Sequence, residues 1–334
     1  MRSHPARHLW LMTLLLIVLT PLATTLGAMR LPLASLLPSG DEILRNIWLT
    51  IRLPRVLLAL LVGAALALSG CVMQGLFRNP LADPGLVGVS AGASLGAVSA
   101  IVLGAALPLV IASTAALVPL AAFAGGWIAV MLLYAVATRG GRTSVATMLL
   151  AGIALGALAA AVTGLLIYVA SDTQLRDITF WSLGSLSGAN WAKLAVAAPM
   201  ILPALILSPL LARGLNALAL GEAAALHMGV EVQRIKRLAI LAVAAGTGAS
   251  VAVAGGIGFV GIVVPHLLRL ASGPDHRWLL PNSALLGAVL LVGADIVARL
   301  VVAPAELPIG IVTAMLGAPF FLWILLRNRS LVDL

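Results

Sequence analysis

Few residues of this 334-residue chain could do chemistry within its apolar segments, and Asp295 is the clearest candidate. It is an acid deep in a long apolar run, where an ionisable side chain is costly and is usually retained for a function. Arg299 follows four residues later, so a helix would place both side chains on one face. This spacing favours a structural ion pair over a proton relay.

No other group of residues in the sequence predicts catalysis or metal binding. A phosphate-binding loop of the Gly-x-x-x-x-Gly-Lys-Ser/Thr type is lacking, and the nearest fragment, residues 140–144, has no lysine and predicts a turn. His227 and His266 are isolated and are interpreted as polar residues at helix ends. Cys71 is the only cysteine, which excludes a disulfide framework or a cysteine-ligated zinc site. We therefore expect no catalytic residues, and no cofactor or metal bound by this chain.

The composition predicts an integral membrane protein. Hydrophobic residues make up 62% of the chain and charged residues only 9%, whereas soluble domains carry roughly a quarter charged residues. The net charge of +9 comes from basic residues scattered singly at the ends of apolar runs. That distribution indicates membrane topology rather than a nucleic-acid-binding patch.

Ten apolar runs predict an all-α polytopic fold, because a helix satisfies all its backbone groups within lipid. The runs cover residues 9–28, 56–77, a glycine-rich run from 88, 107–137, 146–170, 191–211, 238–254, 257–271, 280–302 and 307–326. The first run also has features of a cleavable signal peptide, but its length favours a span. Residues 178–187 are apolar but too short to cross, and they predict a re-entrant half-helix.

Glycine patterns indicate how these helices pack. Gly88, Gly92 and Gly96 recur at every fourth residue, which predicts close contact between that helix and a neighbour. A glycine-rich helix before a proline-marked turn occurs near residues 63–80 and again near 246–266. We therefore expect one transmembrane domain over residues 1–334, with inverted five-helix half-repeats at roughly 1–190 and 191–334 and a path between them.

Residues 214–237 form a segment too polar and too broken to span a bilayer. Asn216 predicts a helix N-cap, and spaced leucines would give short helices an apolar side. The basic residues from Arg234 to Arg237 indicate a cytoplasmic location by the positive-inside rule. The segment is then either an ordinary cytoplasmic loop or a platform on which a separate motor protein docks.

Ten spans place both termini on the same side of the membrane, and a cytoplasmic N-terminus puts most of the basic residues inside. Arg52, Arg55 and Arg299 then fall near the outer helix ends. Snorkelling to lipid headgroups is one explanation for them, although it would be more common on the inner face.

Several long motifs resemble the FecCD family, the permease subunits of bacterial ABC importers for iron-siderophores, haem and cobalamin. In family order they read RLPRVLLALLVGAALALSGCVMQGLFRNPLADPGLVGVSAGASLGA, FWSLGSLSGANW, LALGEAAALHMGV, GGIGFVGIVVPHLLRLASGPDHRWLLPNSALLGA and ADIVARLVVAPAELPIGIVTAMLGAPFFLWILL. The resemblance covers residues 45–327. It implies a type II ABC importer permease of ten helices in the bacterial inner membrane, with both termini cytoplasmic.

The resemblance also implies partners. They are a second copy of the chain in a homodimer, two separate ATPase subunits that bind ATP and Mg, and a periplasmic substrate-binding protein. Arg52, Arg55 and Arg299 match family arginines that face acidic residues of the binding protein. Within the 214–237 segment, residues 222–229 match the family's coupling helices, and the expected ATPase contacts are Leu218, Glu222, Leu226, His227 and Gly229. The spacing between Glu222 and Gly229 departs slightly from the general permease loop, which leaves the individual contacts open.

Within the family, the second motif and the RNPLADPG region look most like the haem importers, with iron-siderophore and cobalamin permeases as alternatives. Arg176, Ser182 and Ser185 are the candidate residues of the substrate path. Arg176 would either meet a carboxylate of the cargo or pair locally with Asp172. A proton-coupled secondary transporter acting through Asp295 and an intramembrane enzyme are competing functions, but the sequence shows neither a second buried acid along a path nor a catalytic group.

Overall fold

The computed structural model describes residues 5–27, 29, 31–32, 34, 41–104 and 114–327. In this part of the chain, seven helices are long and apolar enough to cross a membrane, and three shorter apolar helices accompany them. Together they correspond to the ten predicted runs, so the predicted all-α polytopic fold is confirmed. The start of the predicted run 107–137 lies outside the described residues.

The helices have the following bounds. They are α1 (Pro5–Thr25), α2 (Glu42–Ile47), α3 (Leu53–Leu76), α4 (Val89–Leu103), α5 (Thr114–Ala137), α6 (Val145–Tyr168), α7 (Asp172–Ser182), α8 (Trp191–Leu207), α9 (Ala212–Ala219), α10 (Glu222–His227), α11 (Val232–Ala254), α12 (Val260–Ser272), α13 (His276–Leu300) and α14 (Ile309–Arg327). A π-helical turn (Trp48–Arg52) joins α2 to α3, and 3₁₀ turns cover Pro84–Val87 and Ser208–Leu211. Strands β1 (Thr138–Arg139) and β2 (Arg142–Thr143) form an antiparallel hairpin between α5 and α6.

Helix α3 lies at the centre of the bundle. In its apolar stretch 83% of the residues are buried, against 17% in α6 and 11% in α1. It packs against α8, α11, α12 and α13. Two of its glycines permit this, because a Cβ on Gly63 would collide with the Gly287 carbonyl in α13, and one on Gly70 would collide with the backbone of Gly261 in α12.

The predicted glycine seam joins α4 to α5. A Cβ on Gly92 would collide with the carbonyl of Gly125, and one on Gly96 would collide with that of Ala121. In lipid, where the hydrophobic effect does not drive helices together, such backbone-to-backbone approach supplies the packing energy.

The two halves of the chain interlock in a reciprocal way. The second span of the first half, α3, packs against α12 and α13, and the second span of the other half, α11, packs against α4 and α5. The halves therefore share one core and are not separate folding units.

The predicted half-helix at 178–187 is wrong in its bounds. Ser171 and Gln174 form a capping box in which the serine side chain accepts the N–H of Gln174 and the glutamine side chain accepts the N–H of Ser171. This cap starts α7 at the polar residue Asp172, and Gly184, with φ +73°, lies just past its end. The following segment is not helical, and the N–H of Ser185 donates to the carbonyl of Ala254 at 2.8 Å.

Candidate functional sites at the two ends of the bundle

The two ends of the bundle carry different side chains. One, which we call the hairpin end, holds the β1–β2 hairpin together with α9 and α10. The other, which we call the arginine end, holds Arg52 and Arg55 at the start of α3 and Arg299 at the end of α13. The residues singled out in the sequence divide between these ends.

At the hairpin end, α10 is tied to both α11 and the hairpin. The Glu222 carboxylate lies 2.6 Å from Nζ of Lys236 in α11. The same ammonium donates to the carbonyl of Thr143 at 2.8 Å, and the N–H of Thr143 donates to Oε1 of Gln233 at 2.9 Å. A force on α10 is therefore transmitted to α11 and to the α5–α6 connection.

A second tie joins α9 to the start of α13. Nδ2 of Asn216 donates to Oδ1 of Asp275 at 2.6 Å, and Oδ1 of Asn216 accepts the N–H of His276 at 2.9 Å. Partial burial acts to raise the pKa of Asp275, but hydrogen bonds from the Arg277 N–H and the Asn216 amide outweigh it and hold that pKa below its usual value. The predicted N-cap role of Asn216 is wrong, because α9 continues from the preceding 3₁₀ turn and encloses it.

An apolar knob projects from this segment. Leu220, Leu226 and Met228 are 71%, 61% and 52% exposed, and Gly229 ends the projection with φ +76°. His227 is also exposed. These residues are available to a partner, whereas Leu218 is only 2% exposed and packs in the core. The expectation that Leu218 contacts an ATPase is therefore corrected: the Leu218 side chain packs α9 against the core.

At the arginine end, Asp295 is the centre of a buried ion-pair network. Nε and Nη2 of Arg55 donate to its Oδ1 at 3.0 and 2.9 Å, and Nε of Arg299 lies 3.0 Å from its Oδ2. Asp295 is 1% exposed and Arg299 is 2% exposed. The predicted ion pair between them is confirmed, with a second arginine on the same carboxylate.

The arginines of this network also hold neighbouring segments. Nη1 of Arg55 donates to both carboxylate oxygens of Glu306 at 2.8 and 2.9 Å. Arg299 donates to the carbonyls of Leu26 and Ala23, which lie at the C-terminal end of α1, where a helix leaves its last carbonyls without a partner within the helix. The end of α1 and the loop between α13 and α14 are thus fixed to α3 and α13.

The burial of these arginines corrects one expectation. Arg55 is 7% exposed and, like Arg299, satisfied by partners within the chain, so in this conformation neither presents a free charge to a soluble protein. Arg52 is half-buried and donates to the carbonyls of Leu26 and Met29 at 2.7 and 3.1 Å. Of the three, only Arg52 has its side chain partly at the surface.

The candidate path residues lie on and just after α7. Arg176 is exposed, and within the described ranges no carboxylate comes within ion-pair distance of it, so the alternative pairing with Asp172 is not formed. The hydroxyl of Ser182 donates to the carbonyl of Thr179 at 2.8 Å. Ser185 and Ser187 share a hydroxyl–hydroxyl hydrogen bond of 2.8 Å.

Sequence reasoning missed two contributors. Glu306 sits in a short loop with no periodic pattern to mark it, yet it completes the network around Arg55. Gln74, inside α3, donates to the carbonyls of Gly261 and Ile262 and accepts from Arg269 of α12. A glutamine and an arginine within apolar helices are the signals that could have indicated this contact. In the described residues, no three His, Cys, Asp or Glu side chains come together as a metal site requires.

Comparison with known proteins gives one consistent result. The model of the FecCD transport family matches residues 13–327. The chain is 48% identical over 330 residues to the hemin transport system permease protein HmuU of Yersinia pestis, covering 98% of both chains. It is 43% identical over 324 residues to the vitamin B12 import system permease protein BtuC of Klebsiella pneumoniae, covering 97% of this chain and 95% of that one. A solved structure described as an inward-facing metal-chelate type ABC transporter superposes with a TM-score of 0.86 at 33% identity, covering 96% of this chain and 99% of that one.

Proposed function

Because this chain belongs to the FecCD transport family, we propose that it conducts haem through the inner membrane as one of two identical permease subunits of an ATP-driven importer. Family membership makes the chain a permease subunit of an ABC importer, a multi-pass inner-membrane protein that works with a partner ATPase and a substrate-binding protein. The haem cargo, the homodimer and the orientation of the termini are the proposed part.

One observation carries the haem assignment. The relative that transports hemin matches 98% of both chains at 48% identity. The vitamin B12 permease of Klebsiella pneumoniae matches nearly the same length at the lower identity of 43%. An iron-siderophore or cobalamin cargo is the alternative within the same family.

The two ends of the bundle fit the two soluble partners. We assign the hairpin end, with both termini, to the cytoplasm, where the knob of Leu220, Leu226 and Met228 would enter the ATPase. We assign the arginine end to the periplasm, where Arg52 would meet carboxylates of the binding protein. Arg55 and Arg299 would then contribute indirectly, by holding in place the backbone that carries Arg52.

A second copy of the chain fits the exposed helices. Most of the apolar surface of α6 is uncovered, including Leu150, Ile153, Leu158 and Leu165. In the proposed homodimer, the copies would enclose the path, with Arg176, Ser182 and Ser185 towards its periplasmic mouth. ATP and Mg would be bound by the partner ATPase.

The test is transport by the complete importer. The permease, its ATPase and its binding protein are reconstituted in liposomes, and ATP-dependent uptake of haem, cobalamin and a ferric siderophore is compared. We expect haem uptake that requires all three components, and native mass spectrometry should give two permease copies per complex. Uptake of cobalamin but not of haem would show that cobalamin is the cargo. A single permease copy per complex would contradict the homodimer.

A further inference from the structure

A cavity of about 370 Å³ opens at the arginine end, beside the candidate path residues. The start of α5, the end of α7, the start of α8 and the end of α11 enclose it. The indole of Trp191 fixes the start of α8 by donating to the carbonyl of Leu49 at 2.9 Å. The cavity is thus lined by four helices together with the non-helical segment after α7, which supplies Ser185, Ser187 and Gly188.

Lys193 is the charged residue in the lining of this cavity. Its ammonium lies against the segment after α7, because a Cβ added at Gly188 would be 2.9 Å from Nζ. The side chain is half-buried, and within the described residues no carboxylate or hydrogen-bond acceptor contacts Nζ. The chain has one other lysine, Lys236, and that one is satisfied by Glu222 and by the Thr143 carbonyl.

Hydrogen-bond donors surround the same space. Ser185 and Ser187 line the cavity and bond to each other, which uses one of their two hydroxyl hydrogens and leaves the other free to donate. At the start of α8, the Asn190 side chain accepts the N–H of Lys193 at 2.9 Å and so fixes the backbone that carries this lysine. A partly desolvated ammonium and a free hydroxyl both favour an anion.

The remaining lining is apolar and includes two aromatic side chains. Phe180 and Trp181 belong to the end of α7, and Ala252 to Ala254 lie opposite on α11. Arg176 precedes Phe180 by four residues on α7, so both lie on the same face of that helix. An anionic group attached to a large planar or apolar body therefore finds both a charged end and a surface for its body.

We propose that this pocket binds a carboxylate group of the imported chelate, with Lys193 and the Ser185–Ser187 pair as the groups that hold it. The inference rests on the proposed function for the identity of the cargo, but it selects a class within the family, namely chelates that carry free carboxylates. Arg176 lies outside the pocket as a second cation for a second carboxylate.

Chemical protection of Lys193 tests the pocket without transport. The wild-type permease in phosphatidylcholine nanodiscs, without binding protein or ATPase, is acetylated with an N-hydroxysuccinimide ester. Mass spectrometry measures the acetylated fraction of the peptide that contains Lys193 at successive times. Haem at about ten times its Kd should slow acetylation of Lys193 about tenfold, because the lysine is shielded in the occupied fraction of the pocket. Haem dimethyl ester, which has the same ring and no carboxylate, should give no protection.

Further probes separate the possible results. Protection by ferric citrate but not by haem would keep the carboxylate pocket and remove haem as the cargo. Equal protection by haem and its dimethyl ester would overturn the inference, because the contact would then be apolar. If phosphatidylglycerol in the nanodisc protects Lys193 and the added chelates do not, the inference is also overturned, since the pocket would then hold a lipid headgroup. Protection by none of these probes would overturn it as well.

Paired substitutions give an independent measurement in the complete importer. Lys193→Met should lower haem uptake about tenfold, whereas Lys193→Arg, which keeps the cation, should retain most of it. Equal uptake by Lys193→Met and wild type, at equal amounts of folded protein, would contradict a role for the pocket in transport.

Discussion

At the scale of single residues, the arginine end shows how a membrane protein keeps charges buried. A lone buried carboxylate or guanidinium is costly, so each has to be paired and hydrogen-bonded. Asp295 is neutralised by two arginines, and the remaining donors of Arg299 go to carbonyls at the end of α1. The network is thus structural, and it explains why an acid persists within an apolar helix.

Removing the central acid should destabilise the permease. Asp295→Asn leaves Arg55 and Arg299 without their buried counter-charge, and we expect a loss of about 3–5 kcal/mol in stability. Glu306→Gln is the matched control, because the Glu306 side chain is 36% exposed and its loss should cost about 1 kcal/mol or less. Thermal unfolding in one detergent, followed by size-exclusion chromatography, measures both. Similar melting temperatures for the two variants would contradict a central role for Asp295.

Arg52 should contribute to docking of the binding protein through its charge. Arg52→Glu is expected to weaken association by up to about 1 kcal/mol, mainly through a slower encounter, and to flatten its salt dependence. Arg234→Glu makes the same charge change at the hairpin end, where the Arg234 side chain is 70% exposed. Surface plasmon resonance across a salt series compares them. An equal effect of both variants would mean that only the net charge matters.

At the scale of elements, glycines decide which helices can pack against which. The α4–α5 contact depends on Gly92 and Gly125 having no side chain, because each would place a Cβ on the other's carbonyl. Helix α6 also contains glycine, but a Cβ at Gly156 or Gly164 would meet nothing within 4 Å. Glycine therefore has a packing role at Gly92 and Gly125 and none, within a single copy, at Gly156 and Gly164.

Alanine substitutions should separate these two roles. Gly125→Ala forces α4 and α5 apart and is expected to cost about 1–3 kcal/mol. Gly156→Ala meets no atoms and should leave stability unchanged or raise it by up to about 1 kcal/mol, since alanine favours a helix. The melting temperatures of the purified variants measure this difference. A loss of stability in Gly156→Ala as large as that in Gly125→Ala would show that α6 is tightly packed, as in a homodimer.

At the scale of the whole molecule, the hairpin end is built to transmit movement. The segment of α9 and α10 is connected through Glu222 and Lys236 to α11, through Thr143 to the hairpin, and through Asn216 to α13. These connections reach both halves of the chain. A displacement of the exposed knob by a partner would therefore move several spans together.

Placing a charge on the knob should uncouple transport from ATP hydrolysis. Leu226 is 61% exposed, so Leu226→Glu should leave folding intact while placing an unpaired charge in the proposed ATPase interface. Such a change at an interface centre typically costs about 2 kcal/mol or more. We expect haem uptake per ATP hydrolysed to fall about tenfold, and Leu226→Met should keep it. Normal uptake by Leu226→Glu in the reconstituted importer would contradict the coupling role.

The sequence by itself determined the features that depend on neighbouring residues in the chain. Apolar length predicted the ten spans, the four-residue glycine spacing predicted a close-packed face on α4 without naming its partner, and the four-residue spacing of Asp295 and Arg299 predicted their ion pair. Each of these depends on length or spacing within one helix, so the geometry follows directly from the sequence. The motifs that resemble the FecCD family likewise needed no coordinates.

The tertiary structure decided what depends on distant residues. Arg55 lies 240 positions from Asp295 and 251 from Glu306 along the chain, so no local pattern reveals that it is buried and paired. Leu218 and Leu226 belong to one amphipathic segment, yet one packs in the core and the other is exposed. Lys193 and Lys236 are the same residue type, but only the Lys236 ammonium contacts a carboxylate and a backbone carbonyl. Burial and partner choice are set by which helices meet, and that is a property of the packed bundle.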